Sequence, residues 1–287
     1  MKICRFNDNR LGVARDDRIY DVTEALDVLP VVRYPAPTYD LLIAHLDEVR
    51  ARIEALLPNA TSVSADSVTF LSPVANPGKI VAAPVNYTKH LEEARADEEI
   101  HHQNAILEIQ KIGLFLKATS SLVGVSAGVD LEHPNRRNDH EAEVVAVIGK
   151  QGRNIRAADA LSYVAGYSIG LDMTTRGPEE RSMRKSIDSY SVVGPWLVTS
   201  DELSDPTALD FELTVSGEPR QKANTRDLIL GIPEIIEYAS SFYTLHPGDI
   251  IFTGTPEGVG PVQGGDTIRV TMQGIGTISV AVRSPNA

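Results

Sequence analysis

The first seventy residues alternate between short apolar stretches and polar turns. Residues 2–6, 11–14 and 18–22 have the length and alternation of short β-strands. Residues 38–57 instead place apolar side chains three and four positions apart, which predicts an amphipathic helix. A segment rich in proline, residues 72–78, follows. We therefore predict a small α+β N-terminal domain over residues 1–72 and a second domain over residues 73–287.

The second domain has the pattern of a mostly β structure. Residues 143–148 are almost continuously apolar, as expected of a strand that is buried on both faces. Residues 90–110 are polar and compatible with a helix, and residues 233–242 predict a helix with proline in its first turn. The fold class predicted is α+β, predominantly β, with a sheet that folds over on itself. Further strands are predicted at residues 79–83, 164–171, 192–198, 249–253 and 267–270.

Composition and charge argue against nucleic-acid-binding, membrane-spanning and disulfide-stabilised classes of protein. The chain has 287 residues, with 39 Asp and Glu against 27 Lys and Arg, and a net charge of −12 at pH 7. This acid excess argues against a nucleic-acid partner, which requires clustered positive charge. No apolar run approaches the ~20 residues that span a bilayer, so no membrane partner is expected. The N-terminal segment lacks the apolar centre of a signal peptide, which predicts a cytoplasmic location. The single cysteine, Cys4, excludes an internal disulfide and a cysteine-based zinc site.

Carboxylates mark the start of the buried strand. Glu141 and Glu143 are two positions apart, so on a strand they point to the same face. Asp172 ends the next long apolar strand, at a span that returns the chain to a neighbouring strand. Three carboxylates without cysteine or paired histidine favour a hard cation: Mg²⁺ or Mn²⁺, with Ca²⁺ as a third candidate. The alternative is a strand that begins in solvent with ordinary charged residues.

A second candidate group is His90 with Glu93. On a helix, positions three apart share a face, so the carboxylate can orient the imidazole and raise its basicity. This suits a general base that acts on water. The alternative is an incidental pair on a solvated helix. Lys185 and Arg176 could neutralise an anionic substrate or a developing enolate, or could be ordinary surface charges.

Taken in order, these residues resemble the fumarylacetoacetate hydrolase family. The resemblance covers residues 79–282 and depends on many short motifs rather than on one. The matching stretches include Asn86-Tyr87, His90, Glu93, residues 114–117, Glu141-Ala142-Glu143, residues 147–150, 171–176, Lys185-Ser186, residues 194–196, 217–221, 247–251 and 253–260.

The resemblance implies a fold, a cofactor and a set of roles. It implies a mixed β-roll in the C-terminal domain, a homodimer, and an Mg²⁺ or Mn²⁺ site at Glu141, Glu143 and Asp172. It places a catalytic pair at His90 and Glu93 and an active-site lysine at Lys185. The remaining candidates, all for substrate binding, are Arg176, Glu179, Thr255 and Tyr87.

Two departures from the family pattern concern the substrate. Glu179 is a carboxylate where the family commonly has an amide, which puts its contact with substrate in doubt. Residues 94–113 are longer than in small family members, which suggests an enlarged lid.

The resemblance implies chemistry on small anionic oxo acids through a metal-held enolate. We expect a metal-dependent hydrolase that cleaves a C–C bond in a 1,3-diketone acid of the acylpyruvate, fumarylpyruvate or fumarylacetoacetate type. One alternative is an oxo-acid decarboxylase, or an isomerase of dienedioates such as 2-hydroxyhepta-2,4-diene-1,7-dioate, from aromatic catabolism. A further alternative is a non-catalytic binding protein that a metal stabilises.

Overall fold

The computed structural model describes residues 1–102, 105–203 and 205–284. Its N-terminal part is a β-meander with two helices inserted between the third and fourth strands. The single helix predicted over residues 38–57 is two helices, because His45 leaves helical geometry with φ −112° and ψ 27°. The elements are β1 (Lys2–Phe6), β2 (Arg10–Arg15), β3 (Arg18–Asp21), α1 (Leu41–Ala44), α2 (Leu46–Leu56), β4 (Ser62–Ser64) and β5 (Phe70–Leu71).

The middle of the chain carries two long neighbouring strands. The predicted helix over residues 90–110 is replaced by separate short helices, and residues 103 and 104 lie outside the described residues. The helices are α3 (Thr88–Ala96), α4 (Glu98–His101), α5 (Ile109–Ile112), α6 (Ala157–Ala160) and α7 (Arg181–Lys185). The strands are β6 (Ile80–Ala82), β7 (Phe115–Lys117), β8 (Leu122–Val123), β9 (Val129–Asp130), β10 (Asn138–His140), β11 (Ala142–Ile148), β12 (Val164–Asp172), β13 (Thr174–Thr175) and β14 (Ser191–Thr199).

The last third adds a second sheet that the sequence pattern only partly predicted. A hairpin of two strands, whose solvent-facing positions are mostly charged, and the final strand were not foreseen. The elements are β15 (Asp210–Val215), β16 (Glu218–Asn224), α8 (Ile232–Phe242), β17 (Ile250–Phe252), β18 (Gly260–Pro261), β19 (Thr267–Met272) and β20 (Gly276–Arg283).

Three sheets organise these strands. In the large sheet the order is β4-β3-β2-β1-β14-β12-β11-β17-β6-β7, and in the second it is β16-β15-β19-β20-β9. A small sheet, β13-β10-β18, lies beside the end of β11. The predicted fold class, α+β with predominant β structure, is confirmed. Because β1 pairs with β14, the large sheet continues across the boundary proposed at residue 72, and the division into two domains stays a prediction.

Strand β11 is buried on both faces, as its sequence predicted. Val144 and Ala146 belong to the apolar cluster that also contains much of α8 and the second sheet. Val145 and Val147 belong to a second cluster, with α2 and the N-terminal strands. Each fully buried aliphatic side chain of valine size stabilises the fold by about 1.5–3 kcal/mol. The strand that carries Glu143 is therefore held from both sides.

Within residues 1–102, 105–203 and 205–284, no helix has both the length and the apolar character needed to cross a bilayer.

Candidate active site

Three carboxylates meet where β11 and β12 lie side by side. The antiparallel register pairs Ala142 with Leu171, so Glu141 lies opposite Asp172, and the Asp172 amide donates to the Glu141 carbonyl at 2.9 Å. Glu143 follows two positions later on the same face. One oxygen from each of the three carboxylates lies within 4.8 Å of the others, and all three residues are buried. An oxygen-only set of this kind is what Mg²⁺, Mn²⁺ and Ca²⁺ prefer.

Two buried lysines complete this cluster. Lys185 Nζ donates to Glu141 Oε2 at 2.6 Å, to Asp172 Oδ2 at 2.7 Å and to Thr174 Oγ1 at 2.6 Å. Lys117 Nζ donates to Asp172 Oδ1 and, at 2.9 Å, to the Tyr190 carbonyl. Lys117 was not among the predicted site residues. Its position at the end of the apolar strand β7 was the available sequence signal. A lysine there is expected to be buried, and a buried ammonium group requires a partner.

The carboxylates of Glu141 and Glu143 differ in electrostatic environment. Burial would raise the pKa of Glu141, but the charges of Lys185 and Arg176 outweigh it and lower that pKa to about 2. For Glu143, burial and the neighbouring charge of Asp172 raise the pKa well above its ordinary value. The Gly254 amide donates to Glu143 Oε2 at 2.6 Å, and no lysine or arginine among the described residues forms an ion pair with Glu143. Glu143 is therefore the carboxylate whose charge is least compensated.

The His90–Glu93 pair lies on α3, as the spacing predicted. His90 Nδ1 and Glu93 Oε2 are 2.8 Å apart, and His90 is buried. The Gly258 amide donates to Glu93 Oε1 at 2.9 Å, which fixes the carboxylate from the other side. When Nδ1–H donates to Glu93, Nε2 is the ring nitrogen that can accept a proton.

Asn86 anchors the chain immediately before α3. Its side-chain amide donates to the carbonyls of Leu230 and Thr253, each at 2.8 Å, and its oxygen accepts from the Leu230 amide at 2.8 Å. Three hydrogen bonds from one buried side chain fix this point of the backbone to the loops that precede α8 and follow β17.

One cavity of about 400 Å³ brings both groups together. Tyr87 is not part of its wall, because its side chain packs into the core cluster around α8. The proposed substrate contact at Tyr87 therefore lacks geometric support. The predicted residues that do line the cavity are His90, Glu141, Glu143, Asp172, Arg176, Glu179, Lys185 and Thr255.

Glu179 is held by an arginine of the preceding loop. Arg136 donates to Glu179 Oε1 at 3.1 Å and to Oε2 at 2.7 Å, and also to the Arg176 carbonyl. A Cβ at Gly177 would lie 1.6 Å from Arg136 Nη2 and 2.5 Å from Glu179 Oε2, so a larger residue there would displace this ion pair. This pairing neutralises the carboxylate that departs from the family pattern.

The segment of residues 88–101, which we call the cover segment, contributes His90, Ala94, Ile100 and His101 to the cavity wall. Arg137 ties it to the sheet. The guanidinium donates to Asp97 and Glu99 of the cover segment at 2.9 Å each, and to Asp139 at 2.8 Å. Asp139 in turn accepts from Arg176 at 2.7 Å. This bridge was not predicted, because Arg137 is 40 positions from Asp97 and 38 positions from Glu99 along the chain.

Comparison with known proteins agrees with the resemblance seen in the sequence. The family profile described as fumarylacetoacetate (FAA) hydrolase C-terminal matches residues 79–283. Maleylpyruvate hydrolase of Aquipseudomonas alcaligenes is 59% identical over 286 residues, which is 99% of this chain and 100% of that protein.

Solved structures extend the comparison. Maleylpyruvate hydrolase from Sphingobium sp. SYK-6, in complex with manganese(II) and pyruvate, is 41% identical with a TM-score of 0.83, covering 99% of each chain. The 2-hydroxyhepta-2,4-diene-1,7-dioate isomerase from Mycobacterium marinum is 26% identical with a TM-score of 0.71, covering 100% of each chain. With the family profile spanning most of its length, this chain belongs to the fumarylacetoacetate hydrolase family.

Proposed function

We propose that this protein hydrolyses the C–C bond of an acylpyruvate of the maleylpyruvate type. Water adds to the distal acyl carbonyl, the bond between that carbon and the pyruvyl CH₂ breaks, and pyruvate leaves as its enolate. Protonation of the enolate gives pyruvate and a carboxylic acid. The observation that carries this proposal is that His90, which is hydrogen-bonded to Glu93, lines the same cavity as Lys185 and the three carboxylates. The 59% identity to a maleylpyruvate hydrolase supports the substrate class.

The residues that would hold a divalent cation are Glu141, Glu143 and Asp172. The set fits such an ion because it offers only oxygen, and because Glu143 is buried without a cationic side chain of its own. Mg²⁺ and Mn²⁺ are the candidates, and the manganese in the Sphingobium structure supports the second. A cation bound here would polarise the substrate oxygens and stabilise the enolate.

The chain's own groups would divide the remaining work. His90 Nε2 would accept a proton from water, while Glu93 stabilises the imidazolium that forms. Lys185 would donate a hydrogen bond to the developing enolate oxygen. Arg176 would bind the pyruvyl carboxylate, and Thr255, which also lines the cavity, would contact the substrate.

A substrate panel tests the proposal. The purified protein with Mn²⁺ is given maleylpyruvate, fumarylpyruvate, oxaloacetate and a 2-hydroxydienedioate, with and without EDTA. We expect pyruvate from the acylpyruvates, incorporation of one ¹⁸O from labelled water into the carboxylic acid, and loss of activity with EDTA. Release of CO₂, or isomerisation without uptake of water, would instead establish the decarboxylase or isomerase reading. Complete inactivity across the panel would favour a binding protein.

The homodimer and the cytoplasmic location also remain predictions. Light scattering of the purified protein tests the first, since a dimer has twice the 31.1 kDa mass of one chain. Fractionation of cells that express the chain tests the second.

A further inference from the structure

Helix α7 presents two positive side chains to the cavity. Arg181 and Lys185 are four residues apart, so they lie on one face of this single turn. Both contact the same aromatic ring: Arg181 Cζ lies 5.6 Å from the Phe115 centroid, and Lys185 Nζ lies 5.7 Å from it. A ligand whose reacting end is at Lys185 therefore reaches Arg181 by extending along Phe115.

Arg181 differs from the other cations of this wall in its partners. Lys185 has three acceptors, and Arg176 pairs with Asp139 and Glu141. Arg184 donates to the carbonyls of Glu179 and Thr175, at 2.8 and 3.1 Å. By contrast, among residues 1–102, 105–203 and 205–284, no carboxylate or carbonyl lies within hydrogen-bond or ion-pair distance of the Arg181 guanidinium.

Glu180 does not fill this role, although it precedes Arg181. Its carboxylate accepts the Ser182 amide at 2.6 Å and caps α7. Burial lowers the pKa of Arg181, and the charges of Glu180, Glu141 and Asp172 offset only part of that effect. A guanidinium remains charged in a protein, so its donors face the cavity without an anion.

We infer that Arg181 binds the carboxylate at the far end of the acyl group, and that the cavity selects acylpyruvates with a second, terminal carboxylate. This inference depends on the proposed hydrolysis and specifies its substrate. The cavity wall also includes the apolar side chains of Phe115, Leu114 and Ile112. A hydrocarbon acyl group would pack against those side chains but would leave the guanidinium desolvated without a partner. This cost is the basis on which the cavity discriminates against substrates that lack a terminal carboxylate.

The test compares Arg181→Met with Arg184→Met on two substrates. Maleylpyruvate carries the terminal carboxylate, and acetylpyruvate ends in a methyl group. We expect Arg181→Met to lower the ratio of kcat/KM for maleylpyruvate over acetylpyruvate by about 10²-fold, the value of one charge-assisted ion pair. The Arg184→Met control lies on the same helix but binds backbone carbonyls, so its ratio should stay within about threefold of wild type.

A binding measurement gives a readout that does not depend on turnover. Calorimetric titration with maleate in the presence of Mn²⁺ should show a Kd at least about tenfold higher in Arg181→Met than in wild type or Arg184→Met. An unchanged ratio in Arg181→Met, or an equal fall in both variants, would overturn the assignment of Arg181. If wild type released pyruvate from neither substrate, the proposed hydrolysis itself would fail, and the maleate titration would still decide whether Arg181 binds a carboxylate.

Discussion

The two halves of the cavity are built in different ways. The carboxylate half lies on β11 and β12, adjacent strands of the large sheet that are buried on both faces. The His90 half lies on the cover segment, whose helices are short and whose ion pairs to Arg137 are partly exposed to solvent. Buried strands open only with the whole fold, whereas short helices with few buried contacts open locally. The carboxylate group and the His90 base therefore lie on separate elements, and each can be altered without the other.

Removing one carboxylate should have the largest effect. Glu143→Gln keeps the shape of the side chain but takes one negative charge from the proposed cation site. We expect Mn²⁺ to bind at least about 10²-fold more weakly, and kcat/KM for maleylpyruvate to fall by about 10³-fold. Calorimetry and a pyruvate assay measure the two quantities.

Glu54→Gln is the matched control for that change, because Glu54 is an exposed carboxylate of α2. Both quantities should equal those of wild type in this variant. Tight Mn²⁺ binding by Glu143→Gln would contradict the site proposed at β11 and β12.

Removing the base should leave the carboxylate half intact. His90→Gln deletes the group proposed to accept the proton from water, so we expect kcat to fall by about 10²–10⁴-fold. The Kd for Mn²⁺ should change by less than about threefold, because His90 lies on α3 and not on the strands. If Mn²⁺ binding were lost together with kcat, the two halves would not be separable.

Loosening the cover segment should have a smaller effect. Arg137→Met removes the ion pairs to Asp97, Glu99 and Asp139 but keeps an apolar stem of similar length. We expect KM for maleylpyruvate to rise by about tenfold, because part of the binding free energy must then close the segment. Hydrogen exchange measured by mass spectrometry should show faster exchange in peptides from residues 88–101 and unchanged exchange in β11. Unaltered exchange in the cover segment would show that Arg137 does not hold it.

The smallest expected effect is a decrease in the hydrogen-exchange protection of the cover segment at low pH. Burial would raise the pKa of Asp97, but the hydrogen bond and charge of Arg137 outweigh it and place the pKa below its ordinary value. A carboxylate whose pKa is lowered by an ion pair stabilises the paired state fully at pH values above the pKa it has when unpaired. That contribution is lost as the pH falls through the lowered pKa of the paired state. Protection of residues 88–101, corrected for intrinsic exchange rates, should thus be constant from pH 8 to 5 and decrease below about pH 4. A decrease already between pH 7 and 5 would implicate another group.

Sequence spacing predicted contacts that depend on local periodicity. Glu141 and Glu143 share a face because a strand repeats every two residues, and His90 reaches Glu93 because a helix repeats near every three to four. The buried strand β11 was evident from its continuous apolar residues. Asp172 was correctly associated with the pair, since antiparallel neighbours return the chain to the same edge.

Contacts between remote segments escaped prediction. Lys117 meets Asp172 and Arg137 meets Asp97, and in each case separate elements place two charges together without any periodic signal. Tyr87 illustrates the same limit: its motif matches the family pattern, but its side chain packs into the core cluster around α8, and its role in substrate binding stays a prediction. Spacing therefore predicts which residues share an element, while the register between elements decides which residues share a cavity.

The anchor at Asn86 has a mechanical consequence. Its side chain is bonded to Leu230 and to Thr253, and the next residue, Gly254, donates its amide to Glu143. A Cβ at Gly254 would lie 2.6 Å from the Asn86 Cβ, so the two backbones touch at this point. The start of the cover segment and the carboxylate half therefore share one contact point, so a displacement of Asn86 would also disturb the loop whose Gly254 amide holds Glu143.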